Sequence, residues 1–385
     1  MSHASSSRGS SNKSFRFGIV GCGSIGPTHA GAVQQIPGAT LVAVADPVVE
    51  RAKGMADKFG VRRVYRSGAE LYADADVDVV CLCTPSGMHA DGAVAAMRAG
   101  KHVVVEKPME VSLAACDRMI RAADETGRTC TVISQHRWDA ASQTAKREID
   151  AGTLGNLVLC TADVKWWRTQ QYYDSGDWRG TWKLDGGGAL MNQGVHTVDL
   201  LQWLAGPVRE ISAVTRTAAH ANIEVEDVAA ATLVFESGAI GTLVASTAAY
   251  PGLPVRIDLF GTQGSLTIEG DRLKQLATTA GTSITGEDAA AHAVSVARGG
   301  TASVKDQAAT RLAVDGQSAA AAATAAADPG AVWGDAHRAQ MEDFLDAIRA
   351  GRDPLITPRV ARRPVEIILA VYESARTGKP VTLKA

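Results

Sequence analysis

Three side chains in this sequence have types and settings suited to moving a proton on and off a hydroxyl: Lys107, Asn192 and His196. Lys107 stands in Glu106-Lys107-Pro108, directly after the apolar run Lys101-His102-Val103-Val104-Val105. Proline has no amide donor and steers the preceding residue away from helical φ/ψ. Lys107 is therefore expected to be extended at the carboxyl end of a strand, where open α/β sheets bind ligands. Asn192 and His196 lie four residues apart after Gly186-Gly187-Gly188, on one face if the segment is a helix. Oxidising a secondary alcohol requires a hydride acceptor over the carbinol carbon and a base within hydrogen-bond reach of the hydroxyl. His196 suits that base at neutral pH, while Asn192 can orient a substrate but cannot take its proton. A lone lysine before a loop proline, or a lone helical histidine, is more often structural, so the weight rests on the elements around them.

Those elements begin upstream. Phe15-Arg16-Phe17-Gly18-Ile19-Val20 reads as a strand and runs into Gly21-Cys22-Gly23-Ser24-Ile25-Gly26, followed by a helical stretch from Thr28 to Gln35. In such a unit the first glycine permits a tight turn, the second lets the backbone approach a pyrophosphate, and the third allows close helix packing. The helix N-terminus adds amide donors, so Gly21, Gly23, Ser24, Ile25 and Gly26 are assigned to a dinucleotide. A second strand, Thr40 to Ala45, ends at Asp46, about 20 residues beyond the last glycine, where a carboxylate accepts from the ribose and repels a 2′-phosphate. NAD is expected and NADP disfavoured. A further strand, Val77 to Cys83, opens into Thr84-Pro85-Ser86-Gly87-Met88-His89, which places Thr84, Pro85, Ser86 and His89 at the cofactor edge beside Glu106 and Lys107. A desolvated Lys107 next to a cationic nicotinamide would have a lowered pKa and could hold the hydroxyl or relay its proton.

Composition sets the outer bounds. With 385 residues, 46% of them hydrophobic, the chain can bury a substantial core in two domains. The net charge of −2 and the dispersed basic residues give no footprint for nucleic acid or an anionic membrane, so a small-molecule substrate is expected. The six cysteines fit neither a zinc ribbon nor a disulfide scaffold; they are read as reduced core thiols, and no metal is expected. Residues 1–14 are Ser-rich without an apolar core, which suggests a disordered tail and a cytoplasmic protein.

The alternation of strands and helices from 15 to 134 predicts a Rossmann domain with a doubly wound parallel sheet. From 135 to 385 a second α/β domain is expected, with an open, mainly antiparallel sheet. Its strands are read as Leu157 to Trp167, Val208 to Ala218, Val225 to Phe235, Ile240 to Thr247, Val255 to Phe260 and Ser265 to Ile268. One sheet face needs cover, so a homodimer or homotetramer is expected, with a helix layer of the same chain as the alternative. The Ala/Thr/Gly-rich stretch 278–329 reads as an insertion or irregular surface segment, and helices from Asp335 to Ala350 and Pro364 to Thr377 are expected to pack back on the first domain. Aromatics and arginines gather in Trp166-Trp167-Arg168 and Tyr172 to Arg179. Trp167, Arg168, Trp178 and Arg179, with Arg137, Asn192 and His196, are candidate contacts to a polyol or sugar, while Trp166 is assigned to packing.

The ordered set Gly21-x-Gly23-x-x-Gly26, Glu106-Lys107-Pro108, Gly186-Gly187-Gly188 to His196 and Tyr372-Glu373-Ser374-Ala375 resembles the glucose-fructose oxidoreductase/inositol dehydrogenase/rhizopine catabolism family, Gfo/Idh/MocA, over nearly the whole chain. The resemblance implies NAD(P)-dependent oxidation or reduction of sugars or inositols with Lys107 and His196 as the catalytic pair. Many members carry aspartate where this chain has Asn192, which implies a lysine–histidine pair with an amide helper. It also leaves room for a nucleotide-sugar 3-dehydrogenase using Arg168 and Arg179 as phosphate partners, or for a non-catalytic NAD-binding sensor.

Overall fold

The apolar runs of the first half form strands because they are buried on both sides. Phe15, Phe17 and Ile19 of β1 (Phe15–Val20) are fully buried, as are all four residues of β4 (Val79–Leu82). The structure, a computed structural model, describes residues 14–279, 281–283 and 334–384. Between β1 and β4 come α1 (Gly26–Gln35), β2 (Ala39–Ala45), α2 (Val49–Phe59), β3 (Arg63–Tyr65) and α3 (Gly68–Tyr72). After β4 follow α4 (His89–Arg98), β5 (His102–Val105), α5 (Leu113–Thr126) and β6 (Cys130–Val132). The six strands are parallel in the order β3-β2-β1-β4-β5-β6, and the order reverses between β1 and β4, where ligands of open α/β sheets bind. Ser112 caps α5 by accepting from the Ala115 amide, and Gly127 ends it with φ +61°.

Among the described residues the second half forms a nine-stranded sheet. Its elements are α6 (Ala140–Asp150), β7 (Leu157–Lys165), α7 (Gln170–Asp174), α8 (Val195–Ala205), β8 (Val208–Arg216), β9 (Val228–Phe235), β10 (Ile240–Ser246), β11 (Arg256–Gly261), β12 (Gly264–Glu269), β13 (Arg272–Thr278) and β14 (Gly281–Ser283). They are completed by α9 (Gly334–Ala350), α10 (Pro358–Thr377) and β15 (Val381–Thr382). The order is β14-β13-β12-β11-β7-β10-β9-β8-β15, antiparallel except for β7 beside β10. The sheet exceeds the expected six strands because β13, β14 and β15 extend its edges. The expected tail and most of the 278–329 insertion lie outside the described residues, although Thr278 belongs to β13 and 281–283 to β14.

One face of this sheet is covered by α6, α8 and α10 of the same chain. Thr357 caps α10, its side chain accepting from the Val360 amide, and the helix runs through Pro364 rather than starting there. It packs on β8 and α8 and also on α5 and β6, so it joins the two sheets, while α9 lies against α1. The other face has no such layer among the described residues. Val234, Ile240, Leu159 and Phe260 are cross-strand neighbours there, with Ile240 57% exposed. Among the described residues no helix is long and apolar enough to cross a membrane.

Candidate active site

The glycine loop leaves β1 in a conformation that its first glycine alone tolerates. Gly21 has φ +99°, and a Cβ there would stand 2.4 Å from the Cys83 carbonyl oxygen at the end of β4. At Gly23 no neighbouring atom lies within 4 Å of where a Cβ would stand, so the space above the loop is open. No side chain caps α1, whose first amides follow Ser24 and Ile25, and Gly23 and Ser24 are exposed. Thr84 presents a buried hydroxyl without a partner among the described residues at the neighbouring strand end, while Ser86 is buried. These residues fit a dinucleotide: the open backbone at Gly23 and Ser24 and the first amides of α1 would hold its pyrophosphate. Gly23→Ala should therefore leave the melting temperature near wild type and weaken NADH binding by more than about tenfold, because the methyl occupies ligand space rather than protein space. Fluorescence titration together with a thermal melt checks this.

Asp46 is buried, and its carboxylate accepts from the Cys22 amide at 2.8 Å and from the Val48 amide at 2.8 Å. It ties the glycine loop to the end of β2 while standing where the sequence placed the ribose acceptor. His89 is placed differently from the expected cofactor contact. It is buried, with Nδ1 2.8 Å from the Pro108 carbonyl and Nε2 2.9 Å from the Thr84 carbonyl, so it braces the two loops that flank Lys107. Glu106 is also buried; its carboxylate accepts from His29 Nε2 at 2.7 Å, lies 3.5 Å from His337 Nε2 and accepts from the Lys107 amide. Burial pushes Glu106 up, but the hydrogen bonds from the two histidines prevail and hold it well below the ordinary carboxylate range.

Lys107 is half-buried, and its Nζ donates to the Asn192 carbonyl at 2.9 Å. That contact joins the end of β5 to the segment carrying His196. Residues 189–194 form a π-helical turn, and α8 begins only at Val195, so Asn192 lies within the irregular turn and His196 in the first turn of α8 rather than both on one regular face. The Asn192 side chain accordingly does not face the lysine. Its Nδ2 donates to Asp185, and its Oδ1 accepts from Gln193 Nε2. Burial pulls the Lys107 ammonium below the ordinary lysine range, with Glu106 and Asp185 opposing that shift and Arg179 and Arg168 adding to it.

His196 is half-buried, with Nε2 3.5 Å from Gln135 Nε2 and its ring edge-on to His136 at 4.9 Å between centroids. Burial, then His136 and Lys107, hold this imidazole well below its ordinary range, so it is neutral at pH 7. His136 behaves oppositely. Burial lowers it, yet Asp271 and Asp139, the latter 2.6 Å from Nδ1, push it up to about 9. Asp271, on the β12–β13 turn, lies beyond the last strand expected from the sequence.

The aromatic and basic segment makes a wall. Arg179 stacks between Tyr172, at 4.2 Å, and Trp178, at 4.5 Å, and donates to the Tyr172 hydroxyl. Arg168 is buried over the Trp166 ring and donates to Gln193 Oε1 at 2.9 Å, while Trp167 packs edge-on against Tyr250. Arg137 stands apart from this wall. Its guanidinium is buried, donates to both oxygens of Asp199 at 2.7 and 2.6 Å and stacks on Trp203, so it binds α8 instead of facing the cleft. Arg137→Ala would strand a buried carboxylate and should cost about 3–5 kcal/mol of stability in denaturant unfolding, a loss that a mere substrate contact would not produce.

Sequence reasoning gave no role to Asp185, Gln193, Tyr172 or Glu226. Burial raises Asp185 to about 6 against the Gly180 amide, Asn192 and the charges of Arg179 and Lys107. Glu226, raised by burial to about 7, accepts from the Gly188 and Leu190 amides and from the Tyr372 hydroxyl, and so holds the glycine run. Gly186, at φ +77°, passes so near Val111 that a Cβ would lie 2.4 Å from its Cγ1. An acidic residue immediately before three glycines was the available signal for Asp185.

Two family descriptions match this chain: an oxidoreductase family with an NAD-binding Rossmann fold over residues 15–134, and the Gfo/Idh/MocA C-terminal domain over residues 142–267. The WlbA dehydrogenase from Bordetella pertussis, solved with NADH and UDP-GlcNAcA, is 31% identical with a TM-score of 0.79, covering 97% of this chain and 100% of that one. The chain belongs to the Gfo/Idh/MocA oxidoreductase family. Within it, scyllo-inositol 2-dehydrogenase (NAD(+)) of Bacillus subtilis is 27% identical over 96% of each chain. Myo-inositol 2-dehydrogenase of Thermotoga maritima is 29% identical over 65% of this chain and 74% of its own length. The expected fold, a parallel Rossmann sheet beside a mostly antiparallel one, and the expected NAD cofactor agree with this membership.

Proposed function

We propose that the protein is an NAD-dependent dehydrogenase that oxidises a ring secondary hydroxyl of a sugar, glycoside or inositol. The observation that carries this reading is the contact of Lys107 Nζ with the Asn192 carbonyl, which brings the lysine at the end of β5 onto the segment that leads to His196. When bound, the nicotinamide supplies the acceptor for the carbinol hydrogen. His196, neutral at pH 7, takes the hydroxyl proton. Lys107 keeps two N–H groups beyond the one given to Asn192, and these hold the substrate oxygen and offset the charge that develops on it. Trp178, Arg179, Trp167 and Arg168 wall the sugar subsite. Incubating the protein with NAD and a panel of polyols, glycosides and nucleotide sugars while following NADH absorbance tests the proposal. Turnover of a ring alcohol supports it; NADH binding without turnover of any of them favours the sensor reading.

A second reading, a nucleotide-sugar 3-dehydrogenase, is favoured by Arg179. Its guanidinium is stacked and half-buried, and among the described residues no carboxylate lies within ion-pair distance of it, a setting suited to a phosphate or sugar carboxylate. The nucleotide sugar bound by the WlbA relative points the same way.

The proposal includes a homo-oligomer formed through the uncovered sheet face. Val214, 68% exposed, stands over Ala230 and Val244, beside the row of Ile240, Leu159 and Phe260. Ile240→Glu should shift light-scattering mass from dimer or tetramer towards monomer; a wild-type monomer would contradict the assembly. A reducing, cytoplasmic setting fits the six cysteines, all of which are free and buried.

A further inference from the structure

We propose that Asp185 is the positioning carboxylate of this site: it holds the Asn192 side chain, and through residue 192 it sets the Lys107 ammonium. The proposal rests on the dehydrogenase reading above and extends it to a residue outside the lysine–histidine pair. Asp185 is 1% exposed, and its carboxylate accepts from the Gly180 amide at 2.8 Å and from Asn192 Nδ2. An ionised carboxylate only accepts, so it fixes which end of the Asn192 amide faces it. The other end, Oδ1, then accepts from Gln193 Nε2 at 2.9 Å. Gln193 Nε2 also donates to the Tyr172 hydroxyl at 2.8 Å, and that hydroxyl receives Arg179. The carbonyl of the same residue 192 receives Lys107 Nζ at 2.9 Å.

One buried acid thus stands at the root of a hydrogen-bonded chain that reaches both the lysine and the arginine wall. Glu226 braces the neighbouring amides of Gly188 and Leu190 but, among the described contacts, makes none at residue 192 or Lys107. The difference separates a group that holds the loop from one that aims the lysine.

Protonation undoes this arrangement. A neutral Asp185 can donate as well as accept, so the orientation of Asn192 is no longer imposed, and the lysine loses a nearby negative charge. The charged and titratable groups whose fields meet Asp185 are Lys107 at the end of β5, Tyr172 and Tyr173 on α7, Arg179 in the segment after it, and Tyr372 on α10. Since burial lifts Asp185 to about 6, the chain is intact above that pH and is lost as pH falls through it.

The test uses the full chain with Asp185→Asn, and Asp185→Asn combined with Asn192→Asp, which returns a carboxylate one step along the chain. For Asp185→Asn, kcat should fall about 10–100-fold with KM for NAD within about twofold, and the decline below pH 6 should move to lower pH. The double variant should regain kcat to within about fivefold of wild type. An independent readout needs no substrate. Acetylation of Lys107 by an N-hydroxysuccinimide ester at pH 7, followed by mass spectrometry, should be about threefold or more faster in Asp185→Asn, because removing the anion favours the neutral amine. Wild-type kcat and pH profile in Asp185→Asn, or unchanged Lys107 labelling, overturns the proposal. So does a loss of kcat that the double variant does not relieve while NADH affinity and melting temperature stay at wild type. A wild type that turns over nothing counts against the dehydrogenase reading, and the labelling comparison still decides the role of Asp185.

Discussion

Lys107→Ala lowers kcat by about 10³-fold or more while NADH affinity stays within about threefold, a separation expected of a group that acts on the reacting oxygen. The side chain makes no hydrogen bond to the glycine loop or Asp46 among the described contacts. Its Nζ donates to the Asn192 carbonyl, so its loss leaves the dinucleotide platform intact. Lys107→Arg does not rescue, because a longer, planar guanidinium cannot reproduce the point contact at residue 192 while aiming its remaining N–H groups at the substrate oxygen. Single-turnover kinetics on the substrate found in the panel, together with NADH titration, checks both variants. Turnover of Lys107→Ala near the wild-type rate would remove the lysine from the chemistry.

His196→Gln lowers kcat by about 10²–10⁴-fold, the range expected for loss of a positioned general base, with a smaller change in KM. The sign of the pH dependence follows from its surroundings. Burial, His136 and Lys107 disfavour the imidazolium, so His196 remains a competent base to pH values below the ordinary histidine range. His136→Gln removes one of those cations, which raises the His196 pKa, and the acid loss of kcat/KM then begins at higher pH than in the wild type. An acid limb that does not move in His136→Gln would contradict the arrangement.

What can be read from the sequence is what depends on local chemistry. The strand into Gly21-Cys22-Gly23-Ser24-Ile25-Gly26, Asp46 at the end of β2 and the Glu106-Lys107-Pro108 strand end are each specified by neighbours in the chain, and the parallel sheet follows from strands with apolar runs on both faces. What fails depends on partners distant in sequence. Arg137 resembles a cleft residue because Asp199, which holds it, lies 62 positions away. The lysine–histidine pair looks short of a carboxylate because residue 192 is asparagine; Asp185 reaches the site only through the fold of the glycine run. β13 escapes a sequence reading because Arg272–Thr278 merges in composition with the Ala/Thr tract after it, although its Leu273 and Leu276 are buried against the sheet. For α10, Pro364 carries the signal of a helix start, whereas Thr357 and Pro358 supply that start earlier in the chain.

The most direct test of the account is a crystal structure with NAD and a ring alcohol bound. The account predicts the pyrophosphate over Gly23, the nicotinamide beside Lys107, and the substrate hydroxyl within hydrogen-bond reach of both Lys107 Nζ and His196 Nε2. A nicotinamide whose reactive face points away from that pair, or a sugar seated elsewhere in the molecule, would contradict it.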